Sequence, residues 1–176
     1  MSDASLAATR SQYHPLVDLT QHIAQTRKIH EKSSEGAEFH QRRLAIYDRT
    51  CATLDVAAFA QLQDKHRHEL ADFNPSGHLK YFDLPYWIWH KTALAVELGL
   101  DRKIAGTILD LGVGAGHFPA ICQAYGHKVV GIDIANDQYD DLCAYFRVER
   151  ITQRILPGRV PGCGVAPSPV RAQRRP

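Results

Sequence analysis

Residues 107–133 read TILDLGVGAGHFPAICQAYGHKVVGID, and this stretch decides the fold. Thr107 to Leu111 is a short apolar run of strand formers, with Gly112, Gly114 and Gly116 directly after it. His117 to Tyr125 has the length of a helix, with Phe118, Ile121 and Cys122 on one face. Gly126 then stands where a left-handed C-terminal cap belongs. Lys128 to Asp133 reads as a second strand, so the order is strand, glycine loop, helix, strand.

A βαβ half-unit with glycines at its first turn is a nucleotide-cofactor site in outline. A dinucleotide fingerprint needs glycine at the first, third and sixth positions. Counted from Gly112 the sixth is His117, and counted from Gly114 it is Pro119. What stands here is Asp110-Leu111-Gly112-Val113-Gly114-Ala115-Gly116, an acidic residue at a strand end followed by GxGxG. A carboxylate at the mouth of the loop repels a pyrophosphate and suits a cationic ligand.

This run closely resembles the first motif of the class I S-adenosylmethionine-dependent methyltransferases. The resemblance implies an α/β, Rossmann-like domain and S-adenosylmethionine as cofactor, whose sulfonium and ammonium match Asp110. It implies a cofactor-contacting set of Asp110, Gly112, Val113, Gly114, Gly116, Asp133 and Ile134. In it Asp133 holds the ribose hydroxyls, Ile134 packs on the adenine, and Asp110 helps partly through the loop backbone and water. The glycines let the backbone approach a ligand closely and take up positive φ. No catalytic residue is assigned, because a general base is needed only when the acceptor must lose a proton.

Before this unit, Asp83 caps a helix, Pro85 fits its first turn and Gly99 ends it. Trp87, Ile88, Lys91, Leu94, Ala95 and Leu98 are expected along one side. Tyr81, Tyr86 and Trp87 are expected either in aromatic core packing or at the methionine end of the site or its acceptor pocket. After Asp133, a helix capped by Asn136 and reaching about Arg147 buries Tyr139, Leu142, Cys143 and Phe146. Ile151, Gln153 and Ile155 alternate as a third strand.

Residues 15–73 read as two or three charged helices, with Phe59, Leu62, His66, Leu70 and Phe73 on one face. Residues 1–14 read as a frayed terminus, and Asn74 to Gly77 as a turn. The chain therefore divides into a helical segment at 1–75, a partial methyltransferase domain with an incomplete parallel sheet at 76–155, and a tail at 156–176. The tail holds five prolines, three glycines, four arginines and no acid. It is expected to be a disordered basic segment and reads as out-of-frame or otherwise non-native sequence. The fold resembled has seven strands, and strands four to seven have no candidate here. The first strand is thus expected to offer an open apolar edge, through which self-association is expected.

The 176 residues, 44% hydrophobic and 23% charged, suit a soluble globular chain, and a net charge of +2 points to no partner. No apolar run reaches the length of a membrane span and no secretory signal opens the sequence, so a cytoplasmic location is expected. Cys51, Cys122, Cys143 and Cys163 form no CxxC pair and read as reduced thiols, two of them core-facing. The ten histidines form no HExxH or Cys/His cluster, so no metal site is expected and surface or capping positions are the default.

Three functional readings stand. The first is a methyltransferase acting on an unidentified, small-molecule acceptor, with no nucleic-acid or membrane partner. A second is a fragment or binding subunit that retains half a cofactor site, which the missing strands favour. The third, an NAD-dependent oxidoreductase, is disfavoured by Asp110 and by His117 in the third-glycine slot.

Overall fold

Three parallel strands form the sheet of the computed structural model, which describes residues 16, 18–32, 35–71, 78–134 and 137–153. They are β1 (Thr107–Leu111), β2 (Lys128–Asp133) and β3 (Glu149–Thr152), in the order β1-β2-β3. The helices are α1 (Leu19–Ile29), α2 (Ala37–Cys51), α3 (Val56–Lys65), α4 (Arg67–Ala71), α5 (Leu84–Glu97), α6 (His117–Ala124) and α7 (Asp137–Tyr145), with a 3₁₀ turn at His78–Phe82. None is long and apolar enough to cross a membrane.

The strand order never reverses, and crossovers of one hand then place α6 and α7 on the same face. The register makes Ile108, Asp110, Val129 and Gly131 the helix side. Leu109, Leu111 and Ile151 occupy the other side and are 57%, 58% and 42% exposed. Ile132, flanked in register by Leu111 and Ile151, is buried between them. The sheet is thus small, α/β and compatible with a Rossmann-like arrangement, with one apolar face open among the described residues.

Helix ends follow their capping residues. Asp18 accepts from Gln21 N at 2.9 Å, Asp55 from Ala58 N at 2.9 Å and Asp83 from Tyr86 N at 3.2 Å. Gly99 and Gly126 take positive φ after α5 and α6.

The N-terminal helices share one hydrophobic cluster with the sheet-side helices, from Leu19 through Tyr47, Phe59 and Ile88 to Ile121 and Phe146. Polar ties reinforce it: Arg42 pairs with Asp101 at 2.6 Å, and His66 and Lys65 hold Asp141 of α7 at 2.8 and 2.7 Å. Trp89 is stacked on His30 at 4.3 Å and covered by the Arg43 guanidinium at 4.2 Å.

Several expectations are corrected. Among the described residues the N-terminal segment has four helices, because His66 interrupts the expected stripe between α3 and α4 to reach Asp141. Phe59, His66 and Leu70 of that stripe are buried. In α5 the buried face runs through Leu84, Ile88, Trp89, Thr92, Ala95 and Val96, while Leu94 and Leu98 are 39% and 44% exposed. The stripe is rotated because α2 packs on the Trp89 side, where Arg43 donates to Thr92 Oγ1 at 3.1 Å.

Helix α7 ends at Tyr145, since Arg147 turns into positive φ to start the approach to β3. Strand β3 begins at Glu149 and Gln153 lies beyond it. Three cysteines, Cys51, Cys122 and Cys143, are buried. His30, His40, His66, His117 and His127 are buried as well, against aromatic rings, carboxylates and backbone carbonyls. The readings for 1–14, Phe73, Asn74 to Gly77, Asn136, Ile155, Cys163 and the tail lie outside the described residues.

Candidate functional site

The glycine loop leaves β1 at Leu111 and enters α6 at His117. Gly112, Gly114 and Gly116 have φ of 82°, 55° and 87°, a region that side chains with a Cβ adopt at a cost. Gly112 N donates to Ile132 O at 2.8 Å, which hangs the loop on β2. A Cβ on Gly116 would lie 3.2 Å from Phe146 and 3.4 Å from Cys143, so this glycine sets the fit of the loop against α7. Around Gly112 and Gly114 nothing lies within 4 Å of such a Cβ, and the space there is open to a ligand.

Asp133 ends β2 beside the loop. Its Oδ2 accepts from Gly114 N and its Oδ1 from Ile134 N, both at 2.7 Å. A carboxylate has about four lone-pair sites, so two further acceptor positions remain. Ile134 is 60% exposed next to it. The Ile134 carbonyl accepts from Arg150 of β3 at 2.5 Å, and Arg150 also pairs with Asp140.

A cavity of about 240 Å³ opens over the loop. Asp110, Gly112, Val113, Gly114, Ala115, His117 and Phe118 line one side, with Tyr81 and the α5 residues Trp87, Lys91 and Leu94 opposite. Burial raises the Asp110 carboxyl above the usual carboxylate range; Lys91 pulls it back and Asp133 pushes it further up. His117 bonds through Nε2 to Tyr81 O at 3.0 Å, and burial takes its pKa down to about 3. At neutral pH it is therefore an uncharged donor to that carbonyl. Tyr81 and Trp87 pack at 4.9 Å, Tyr81 and Tyr139 edge-on at 5.3 Å, and the Lys80 ammonium lies 5.0 Å from the Tyr81 ring.

Of the sequence-designated residues, Asp110, Gly112, Val113 and Gly114 line this cavity. Asp133 and Ile134 stand at the β2 side of the loop, joined to it through Gly114 N. Gly116 faces α7 and not the cavity. Tyr81 and Trp87 are on the cavity wall; Tyr86 is not, and packs on Trp87 and His90.

Sequence reasoning missed three contributors. Lys91, expected only along one side of the helix, lines the cavity with Trp87 and Leu94, at spacings of four and three along α5. His117, legible in the sequence as a helix start and a departure from the dinucleotide fingerprint, lines the cavity and bonds to Tyr81 O. Gly131, in the middle of β2, gives room to the loop: a Cβ there would lie 2.7 Å from the Val113 side chain. A glycine inside a strand is the signal for such a close approach. No group of three or more metal-ligating side chains occurs among the described residues.

Comparison with known proteins finds similarity to the protein-L-isoaspartate O-methyltransferase of Chlorobium luteolum, at 29% identity over 89 residues. The match takes in 51% of this chain and 38% of that protein, so the chain spans well under half the length of the relative. No family model and no solved structure matches the chain.

Proposed function

We propose that the chain binds S-adenosylmethionine over the glycine loop and belongs to a methyltransferase acting on a small-molecule acceptor. The observation that carries the reading is Asp110, a half-buried carboxylate on the cavity wall at the mouth of the loop. A carboxylate kept partly from water at that point favours a cationic ligand and opposes a pyrophosphate. The distant similarity to a methyltransferase supports the same choice.

The residues present fit this cofactor. The backbone of Gly112 to Gly114 offers an approach with no Cβ in the way. Asp133 keeps acceptor positions for a cis-diol, and Ile134 presents an exposed apolar side chain beside it. When bound, the cofactor would supply a methyl group on a sulfonium, whose carbon an acceptor lone pair attacks in line while the carbon–sulfur bond breaks and its electrons return to sulfur. The chain's own part is alignment, which for two positioned reactants is worth up to about 7–11 kcal/mol. At about 240 Å³ the cavity lies below the ~300–1,000 Å³ of a complete drug-sized site and accommodates one end of the ligand.

The test is calorimetric titration of the purified chain with S-adenosylmethionine, with NAD as control. Saturable binding of S-adenosylmethionine alone supports the reading, and binding of NAD alone replaces it by the oxidoreductase. A methyl-transfer assay on small nucleophiles, with an isoaspartyl peptide as comparison, then addresses the acceptor.

A second reading, a non-catalytic binding subunit, has its own observation in the open face of Leu109, Leu111 and Ile151. Such a face is stable when a second layer covers it, supplied by another copy or another chain. Binding of S-adenosylmethionine without turnover on any acceptor favours this reading over the first.

A further inference from the structure

Three helices end in the same hydrogen-bonded turn, and one of them departs from its residue rule. After α5, Leu100 N donates to Ala95 O and Gly99 N to Val96 O, both at 3.0 Å; after α6, His127 N donates to Cys122 O at 3.0 Å and Gly126 N to Gln123 O at 2.8 Å. After α7 the pattern recurs, with Val148 N on Cys143 O at 2.9 Å and Arg147 N on Ala144 O at 3.0 Å. The pivot of such a turn needs positive φ, which glycine supplies at 99 and 126 but Arg147 adopts at 56°. Among the described residues no other side chain is held in this region, at a cost that glycine would not incur.

Arg147 lines a cavity of about 680 Å³ between the α2–α3 turn and the ends of α6 and α7. No residue lines both this cavity and the one over the glycine loop. Its volume is that of a small-molecule site, and Leu54, Ala58, Ala120 and Phe146 give it apolar walls.

Six of the eight arginines among the described residues pair with carboxylates: Arg27, Arg42, Arg43, Arg67, Arg102 and Arg150. The other two are Arg147 and Arg49, and both stand at this cavity. Arg49 donates through Nε to the carbonyl of Ala124, a wall residue, at 2.7 Å. Nearby carbonyls are engaged, since Arg147 O accepts from Gln123 Nε2 at 3.2 Å and Ala144 O from Arg147 N. Asp55, the carboxylate on the wall, caps α3 through Ala58 N.

Two guanidiniums without carboxylate partners, at the rim of an apolar cavity, select a ligand that brings its own oxyanion on an apolar body. Asp55 repels a second negative charge, which favours a carboxylate over a doubly charged phosphate monoester. We propose that this cavity is a second binding site, for an organic carboxylate with an apolar body. The carboxylate pairs with Arg147 and Arg49, and the body lies along Ala58, Ala120 and Phe146. Arginine at a pivot that favours glycine then has its reason in the ligand.

The experiment is calorimetric titration of the full chain with 2-naphthoate and with its neutral amide, 2-naphthamide, for wild type, Arg147→Gly, Arg49→Gln and Ala58→Leu. Urea unfolding of each variant accompanies it. Both arginines are exposed, so the preference of wild type for naphthoate is expected to be about tenfold. Arg147→Gly removes most of that preference while raising the urea midpoint, because glycine relieves the pivot, and lost binding in a more stable variant cannot come from misfolding. Arg49→Gln lowers the preference in part, and Ala58→Leu narrows the cavity and weakens both ligands. The proposal is overturned if wild type fails to bind naphthoate or binds the amide equally well, if Arg147→Gly keeps the preference, or if Ala58→Leu leaves both affinities unchanged.

Discussion

Asp133 and Gly114 are 19 residues apart and joined by a 2.7 Å hydrogen bond from the Gly114 N–H to the Asp133 carboxylate. The bond ties the end of β2 to the middle of the glycine loop, so one acidic side chain shapes the loop and, on the cofactor reading proposed above, accepts from the ribose.

Asp133→Ala removes both roles. Affinity for S-adenosylmethionine is expected to fall by about 1.5–3 kcal/mol, the scale of a hydrogen bond to a charged group. Calorimetry measures this directly, and unchanged affinity would remove Asp133 from the ligand-binding set.

Gly131→Ala pushes a methyl group into Val113, 2.7 Å away. Overpacking of this kind costs about 1–3 kcal/mol, read by urea unfolding. Adding Val113→Gly, which removes the Cβ as well as both methyls, is expected to restore part of the loss. Independent, additive effects in the double variant would refute the contact as the cause.

Asp110→Asn is expected to weaken S-adenosylmethionine while leaving 5′-methylthioadenosine, which lacks both positive charges, unchanged. The pH dependence has a definite sign. The ionised carboxylate is the form that attracts a cation, and burial raises its pKa, so affinity declines as pH falls toward the carboxylate range and starts to do so earlier than for an ordinary Asp. Equal losses for both ligands would mean that Asp110 does not read charge.

Three histidines make the fold acid-sensitive. Burial lowers His22 and His30 to about 4 and His117 to about 3, from 6.5 when unfolded. Below 6.5 the unfolded chain binds protons that the folded chain refuses. Their contribution is therefore complete above pH 6.5 and lost as pH falls from there toward about 4, by up to about 1.4 kcal/mol per pH unit for each group. Thermal melts across this range are expected to be flat above neutrality and to drop steadily below it. A melting temperature constant down to pH 4 would contradict the burial of these rings.

Leu111→Lys places a charge on the open face of the sheet. Light scattering is expected to show concentration-dependent association of wild type and less of it in the variant, with the fold retained because Leu111 is 58% exposed. A monomeric wild type at all concentrations would sink self-association through this face.

The strand, loop, helix and strand of residues 107–133 were legible because each boundary is local: apolar runs, glycines and a C-terminal cap specify them within a few residues. Asp83 and Pro85 announced α5 for the same reason. The orientation of α5 was not legible, because it is apolar on the side of α2 and also along the cavity ridge, and no single stripe distinguishes the two. The histidines misled because their partners are distant in sequence: Trp89 for His30, Asp141 for His66, Tyr81 O for His117. Lys91 and Asp110 line one cavity, a relation that exists only once β1 and α5 are brought together.

Trp87 and Trp89, the two tryptophans of the chain, sit two residues apart on α5 and face different surroundings. Trp89 is buried against the His30 ring and beneath Arg43, whereas Trp87 borders the cavity and donates to Lys80 O at 2.7 Å. The chain thus carries two intrinsic fluorophores with separate jobs. Emission from Trp87 is expected to change when a ligand enters the cavity, and that of Trp89, stacked on the His30 imidazole, to follow the integrity of the helical layer. Single Trp→Phe variants give an optical readout of each without an added label.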